Sequence, residues 1–110
     1  KFKMTNFIST GNTYWIPDDE IQIFEKNATN GDKNSAFKLY QYHMFVSLDQ
    51  DSEFKWLEIA AKNGHPIAQS NLADLFFTQG NKEKAIFWAK KAYRNGAKLP
   101  DELKILININ

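Results

Sequence analysis

The sequence predicts an all-α fold of stacked antiparallel helical hairpins, and three observations carry that expectation. Three Asn-Gly pairs recur, Asn30-Gly31, Asn63-Gly64 and Asn95-Gly96, with their glycines 33 and 32 residues apart. Eight residues before each glycine stands a large apolar residue (Ile23, Trp56, Trp88), and four before it Asn27, Ala60 or Ala92. Each pair also closes a stretch whose apolar residues recur at helical spacing. A fixed period of this size marks stacked supersecondary units. Gly just past a helical stretch reads as a left-handed C-terminal cap rather than a hairpin between strands.

The elements follow in order within one domain, residues 1–110. Residues 1–17 form an N-terminal extension. The first unit, 18–50, opens with Asp18, Asp19 and Glu20, whose charges favour a helix N-terminus. It is read as helices over roughly 18–30 and 34–46. The second unit, 51–80, has Trp56, Leu57 and Ala60 on one face of 52–62, then Ala68, Leu72, Leu75 and Phe76 at helical spacing over 66–78, with Pro66 in the first turn. The third, 81–110, sets Ala85, Trp88, Ala89 and Ala92 on one face of 81–95, then opens a capping helix at Pro100-Asp101-Glu102. Six helices in three hairpins result, joined by short turns. One hairpin cannot bury its apolar face alone, so neighbours must stack. Alanines permit close approach, while Trp56, Trp88, Phe76 and Phe37 fill the layers.

The run Ala85-Ile86-Phe87-Trp88-Ala89-Lys90-Lys91-Ala92-Tyr93-Arg94-Asn95-Gly96 resembles a helix of the Sel-like repeat family, relatives of the tetratricopeptide repeats. Trp56-Leu57-Glu58-Ile59-Ala60-Ala61-Lys62-Asn63-Gly64 resembles it again, and Ala68 to Phe77 resembles the family's other helix. The likeness covers residues 52–96; 19–46 is a degenerate copy with Asn27 and Gln41 at small-residue positions, and 1–15 lie outside it. Ala73 stands where the family has Gly, which predicts slightly spread helices, and the loop before the next unit is shortened to Gly80-Asn81-Lys82-Glu83-Lys84. The resemblance implies an α-solenoid fragment of about three repeats, bacterial, non-catalytic and used for protein–protein contact.

Composition excludes several classes. There is no cysteine, hence no disulfide framework and no thiolate metal site. The net charge of +1 argues against a nucleic-acid partner. It is unevenly spread: residues 1–55 carry six Lys against eight Asp and Glu, while residues 56–110 carry eight Lys and Arg against five. No apolar run reaches the roughly 18 to 20 residues of a membrane span. The chain begins Lys1-Phe2-Lys3-Met4, read as a trimmed start or the product of an export signal's removal, with the periplasm favoured and the cytoplasm as the alternative.

No catalytic constellation emerges. The two histidines are read structurally: His65 as a helix cap in a turn, His43 as a helix residue beside Tyr42 and Met44. With no nucleophile motif a triad cannot be assembled from the sequence. Asp49-Gln50-Asp51-Ser52-Glu53 mimics the start of a calcium loop, but Phe54 holds the obligatory glycine position and Ala60 that of the bidentate Glu. Helix capping is its expected role. No cofactor and no metal are expected. A hydrolase using Glu58 and Asp74 in the groove is the enzyme alternative.

The partner site is sought where aromatics exceed what a core needs. Sixteen rings make 15% of the chain. Lys84, Phe87, Lys91 and Arg94 share helical spacing off the buried face of 81–95, and Lys98 continues the line. A Phe within a cationic stripe has the character of a binding anchor for an acidic partner. Tyr14 and Trp15 are a second candidate, with Ile16 beside them as a hydrophobic staple; Ile105 to Ile109 are expected to pack on the third hairpin. The expected function is a protein-interaction scaffold, specifically a bacterial immunity protein that occludes a cognate toxin, with an adaptor of an envelope, signalling or host complex as the alternative.

Overall fold

A computed structural model of the chain describes residues 13–109. Among these residues are six α-helices and no strand: α1 (Asp18–Thr29), α2 (Lys33–Tyr42), α3 (Gln50–Lys62), α4 (Pro66–Thr78), α5 (Lys82–Arg94) and α6 (Asp101–Leu106). A π-helical turn, His43–Ser47, follows α2 directly. The described chain is therefore all-helical.

Three connections of three residues each show how the sequence turns without leaving backbone groups unpaired. Gly64 takes φ 102°, a conformation that a side chain would strain. Its N–H donates to the Ala61 carbonyl at 3.1 Å and the next N–H, of His65, to Ala60 at 3.0 Å, a Schellman closure of α3. His65 then begins α4, its Nδ1 accepting from the Ala68 N–H at 3.3 Å. The same sequence of events joins α1 to α2 through Gly31 and Asp32, and α4 to α5 through Gly80 and Asn81. Asp32 accepts from the Asn34 N–H at 3.1 Å and Asn81 from Lys84 at 3.2 Å. Asp49 caps α3, accepting from the Ser52 N–H and hydroxyl; the acidic run there is a cap, as its spacing predicts.

Apolar burial then fixes the packing. Ile16, Leu39 and Leu72 are completely buried, and Trp56 and Leu57 nearly so, in one cluster that runs from the segment before α1 to α5. A second cluster joins Ala73, Ala89 and Ala92 to Leu99 and Leu103. Ala73, at the family's Gly position, is itself fully buried against those alanines. The widest helix contacts lie between α4 and α5 and between α2 and α3. The sequence reading paired α1 with α2, α3 with α4 and α5 with α6; these also touch, but less broadly. The alanine faces of α4 and α5 explain the difference, because small side chains let two helices meet along their length.

Two expectations are corrected, for the helix over 34–46 and for Ile105. The helix read over 34–46 is α-helical only to Tyr42 and passes into the π turn, which ends at Leu48 in the left-handed region, φ 58°. Ile23, which stands where the later units have Trp56 and Trp88, is mostly exposed, because α1 turns Ala28 inward. Phe37 packs against the larger cluster as expected and also stacks on the His65 ring, centroids 4.0 Å apart. At the C-terminal end Leu103, Leu106, Ile107 and Ile109 pack as expected, but Ile105 is 73% exposed.

Candidate protein-binding face

The α5 helix divides into two sides by its own period of 3.6 residues. Ala85, Ala89 and Ala92 are fully buried on one side. Phe87 and Arg94 fall opposite, exposed, with Lys91 beside them. Phe87 keeps 52% of its surface in water, so it forgoes on the order of 1 kcal/mol of hydrophobic stabilisation that a partner can supply. Its ring meets Trp88 edge to face, centroids 5.1 Å apart at 90°. The Lys91 ammonium lies 5.0 Å from the Phe87 centroid and 5.7 Å from that of Trp88, within reach of both ring faces. The helix carries five Lys and Arg against Glu83 alone, so its outward face is strongly cationic in a chain of net charge +1.

The remaining candidates separate from that centre. Lys84 is exposed one turn earlier, but its ammonium lies over the Phe76 ring of α4, 5.3 Å from the centroid. Lys98, in the α5–α6 connection, lines a groove along α4 instead. Tyr14 packs on Phe45 of the π turn, centroids 4.3 Å apart, while the neighbouring Trp15 is half exposed and Ile16 is completely buried. Phe87, Lys91 and Arg94 thus form one face; Lys84, Lys98 and the Tyr14-Trp15 pair each border other surfaces.

The groove is a feature whose lining, apart from Asp74, the sequence reading did not specify. About 580 Å³ in volume, it is lined by His65, Pro66, Ile67, Ser70, Asn71 and Asp74 of α4 and its cap, and by Gly96, Ala97, Lys98 and Pro100 opposite. Past Asn71 and Asp74 lies a second depression of about 320 Å³ bordered by Tyr40, Glu53, Leu57 and Thr78. Asn71 donates to the Tyr40 hydroxyl at 3.3 Å there, and burial pushes the Tyr40 phenol up from its ordinary value. The signal was present in the spacing: Ile67, Asn71 and Asp74 share one face of α4. Asp74 borders both depressions, whereas Glu58, its expected carboxylate partner, lines neither.

Both histidines occupy hydrogen-bonded positions. His43 Nδ1 lies 2.7 Å from the Ser47 hydroxyl across the π turn. Burial holds its pKa below the ordinary value, with Lys55 adding to that and Asp49 and Glu25 opposing it. Burial likewise lowers that of His65, and the nearby Lys33 adds to the effect. Among the described residues no group of three or more His, Asp or Glu stands together to hold a metal, and no helix is long and apolar enough to cross a membrane.

The chain is similar to the Escherichia coli (strain K12) protein named uncharacterized protein YibG, 30% identical over a 95-residue alignment that covers 80% of this chain. That stretch spans 62% of the length of the E. coli protein. No family model matches the chain, and no solved structure matches it.

Proposed function

We propose that this chain is a non-enzymatic interaction protein of the Sel-like repeat type, its helices forming a short solenoid that holds the α5 face rigid for a protein partner. One observation carries the reading: Phe87, half exposed on the side of α5 opposite its buried alanines, with the Lys91 ammonium 5.0 Å from its ring. An exposed aromatic beside a cation is costly in a surface that meets only water, and it matches the residue types that dominate binding energy. The cationic excess of α5 specifies an acidic contact surface on the partner.

The specific reading is an immunity protein that occludes the active site or substrate entrance of a cognate antibacterial toxin. Short capped connections support it, because a rigid scaffold lowers the ordering cost of association. The likeness to a bacterial protein of similar sequence supports a bacterial setting. An adaptor within an envelope, signalling or host complex uses the same face and differs only in partner. The test is co-purification with the products of neighbouring genes, followed by titration of the complex against Phe87→Ala and Lys91→Glu. A tight one-to-one complex with a toxin, weakened by both substitutions, supports immunity. Recovery of an envelope or host protein instead assigns the adaptor role.

A further inference from the structure

We propose that His65 is an acid-sensitive latch: neutral, it holds the first turn of α4 in place, and protonated, it releases that turn together with the groove wall it carries. Among the described residues four caps receive a backbone N–H from the helix they begin: Asp32, Asp49, His65 and Asn81. Asn81 does not titrate, and the two aspartates accept in their charged form. His65 accepts through Nδ1, and it can do so only while that nitrogen is unprotonated. Protonation turns the acceptor into a donor facing the Ala68 N–H and places a cation at the positive end of the α4 dipole.

The surroundings reinforce the same direction. Lys33 of α2 faces the ring and disfavours a second positive charge. Lys98 of the α5–α6 connection and Asp74 of α4 line the groove that His65 borders, so the cation across the groove is offset by one carboxylate further along it. The opposing influence is Phe37, whose ring stacks on the imidazole and attracts an imidazolium. Burial, and after it Lys33, disfavour the charged ring and hold the pKa of His65 below its ordinary value. Release matters beyond the cap, because the same residue ties α2 to α4 through Phe37 and sits beside Pro66 and Ile67 at the groove's mouth. The groove wall is therefore coupled to a proton in a way the α5 face is not.

The test follows the His65 ring and the Ala68 amide together by NMR, with amide protection factors corrected for intrinsic exchange, between about pH 7.5 and pH 5. His65→Asn keeps a capping oxygen at every pH and removes the titration. The latch predicts that Ala68 protection falls roughly five- to tenfold in the wild type as His65 protonates, and stays level in His65→Asn. His65→Asp, a second non-latching cap, gives the same level response. Ala68 protection that stays constant while His65 titrates overturns the proposal. A fall of equal size in His65→Asn also overturns it, because the proton responsible is then elsewhere, at His43 or a carboxylate.

Discussion

The Asn63 side chain donates to the Ala28 carbonyl across 35 residues of chain, at 2.9 Å. Asn63 belongs to one Asn-Gly turn, and Ala28 stands three residues before the glycine of the preceding one. The next turn repeats the connection with one residue inserted: Asn95 donates to the Gln69 side-chain oxygen at 2.9 Å, and Gln69, 99% buried, donates to the Ala61 carbonyl at 3.0 Å. Ala61 is to Gly64 what Ala28 is to Gly31. The asparagine of the second and of the third Asn-Gly pair therefore has a task besides preceding a cap. It ties one helix end to the one before it and sets their register.

Removing that tie leaves a carbonyl without its second donor. Asn63→Ala is expected to cost about 1 kcal/mol of stability, and Gln69→Leu about 2 kcal/mol, because the buried Ala61 carbonyl and the Asn95 amide both lose a partner. Urea unfolding of the two variants measures this; a loss at Asn63 equal to that at Gln69 contradicts the difference in burial.

Trp56 and Phe87 should lose very different amounts of stability on truncation. Trp56 is 3% exposed and central to the larger apolar cluster, so Trp56→Ala is expected to destabilise by roughly 3–5 kcal/mol. Phe87→Ala removes a half-exposed ring and should cost under about 1 kcal/mol. Comparing the two denaturation midpoints reads the contrast directly. A Phe87→Ala loss as large as that of Trp56→Ala makes the ring a core residue rather than an anchor.

Leu48 ends the π turn at φ 58° with 72% of its surface exposed. Its side chain strains the backbone and gains little burial in return. Leu48→Gly is expected to raise stability by about 0.5–1 kcal/mol, seen as a higher unfolding midpoint. A drop instead assigns Leu48 a packing role.

Acid acts on the aspartate caps. A hydrogen bond from the Ser35 hydroxyl lowers the pKa of Asp32, and one from the Ser52 hydroxyl lowers that of Asp49. Both lie below the ordinary 3.8, so their contribution is present above that value and is lost as pH falls through the folded one. Thermal midpoints should fall below about pH 4, and the double variant Asp32→Asn, Asp49→Asn should show a shallower fall. An unchanged slope in the double variant removes these caps from the acid response.

The helices were legible because their signals are local. Pro66 in a first turn, Asp49 ahead of an apolar stripe and Gly at each end act within one turn of themselves, and boundaries fell within a few residues. The π turn was not legible: His43 to Ser47 carries a helical pattern, and the extra residue is absorbed by contacts with α3 and with Tyr14. Which helices meet most broadly was also hidden, since the alanine faces of α4 and α5 match only once both are placed. Phe87 could be singled out by its period alone. The groove was legible only on its α4 side, where Ile67, Asn71 and Asp74 share a face; its other wall, Gly96 to Pro100, comes from a separate segment.

The proposed binding face rests most directly on the affinity of the co-purified partner for wild type, Phe87→Ala and Lys91→Glu, measured by calorimetry at two salt concentrations. Binding through α5 predicts a loss of about 10- to 100-fold for Phe87→Ala. It also predicts a loss for Lys91→Glu that shrinks at high salt. Unchanged affinity in both variants contradicts it.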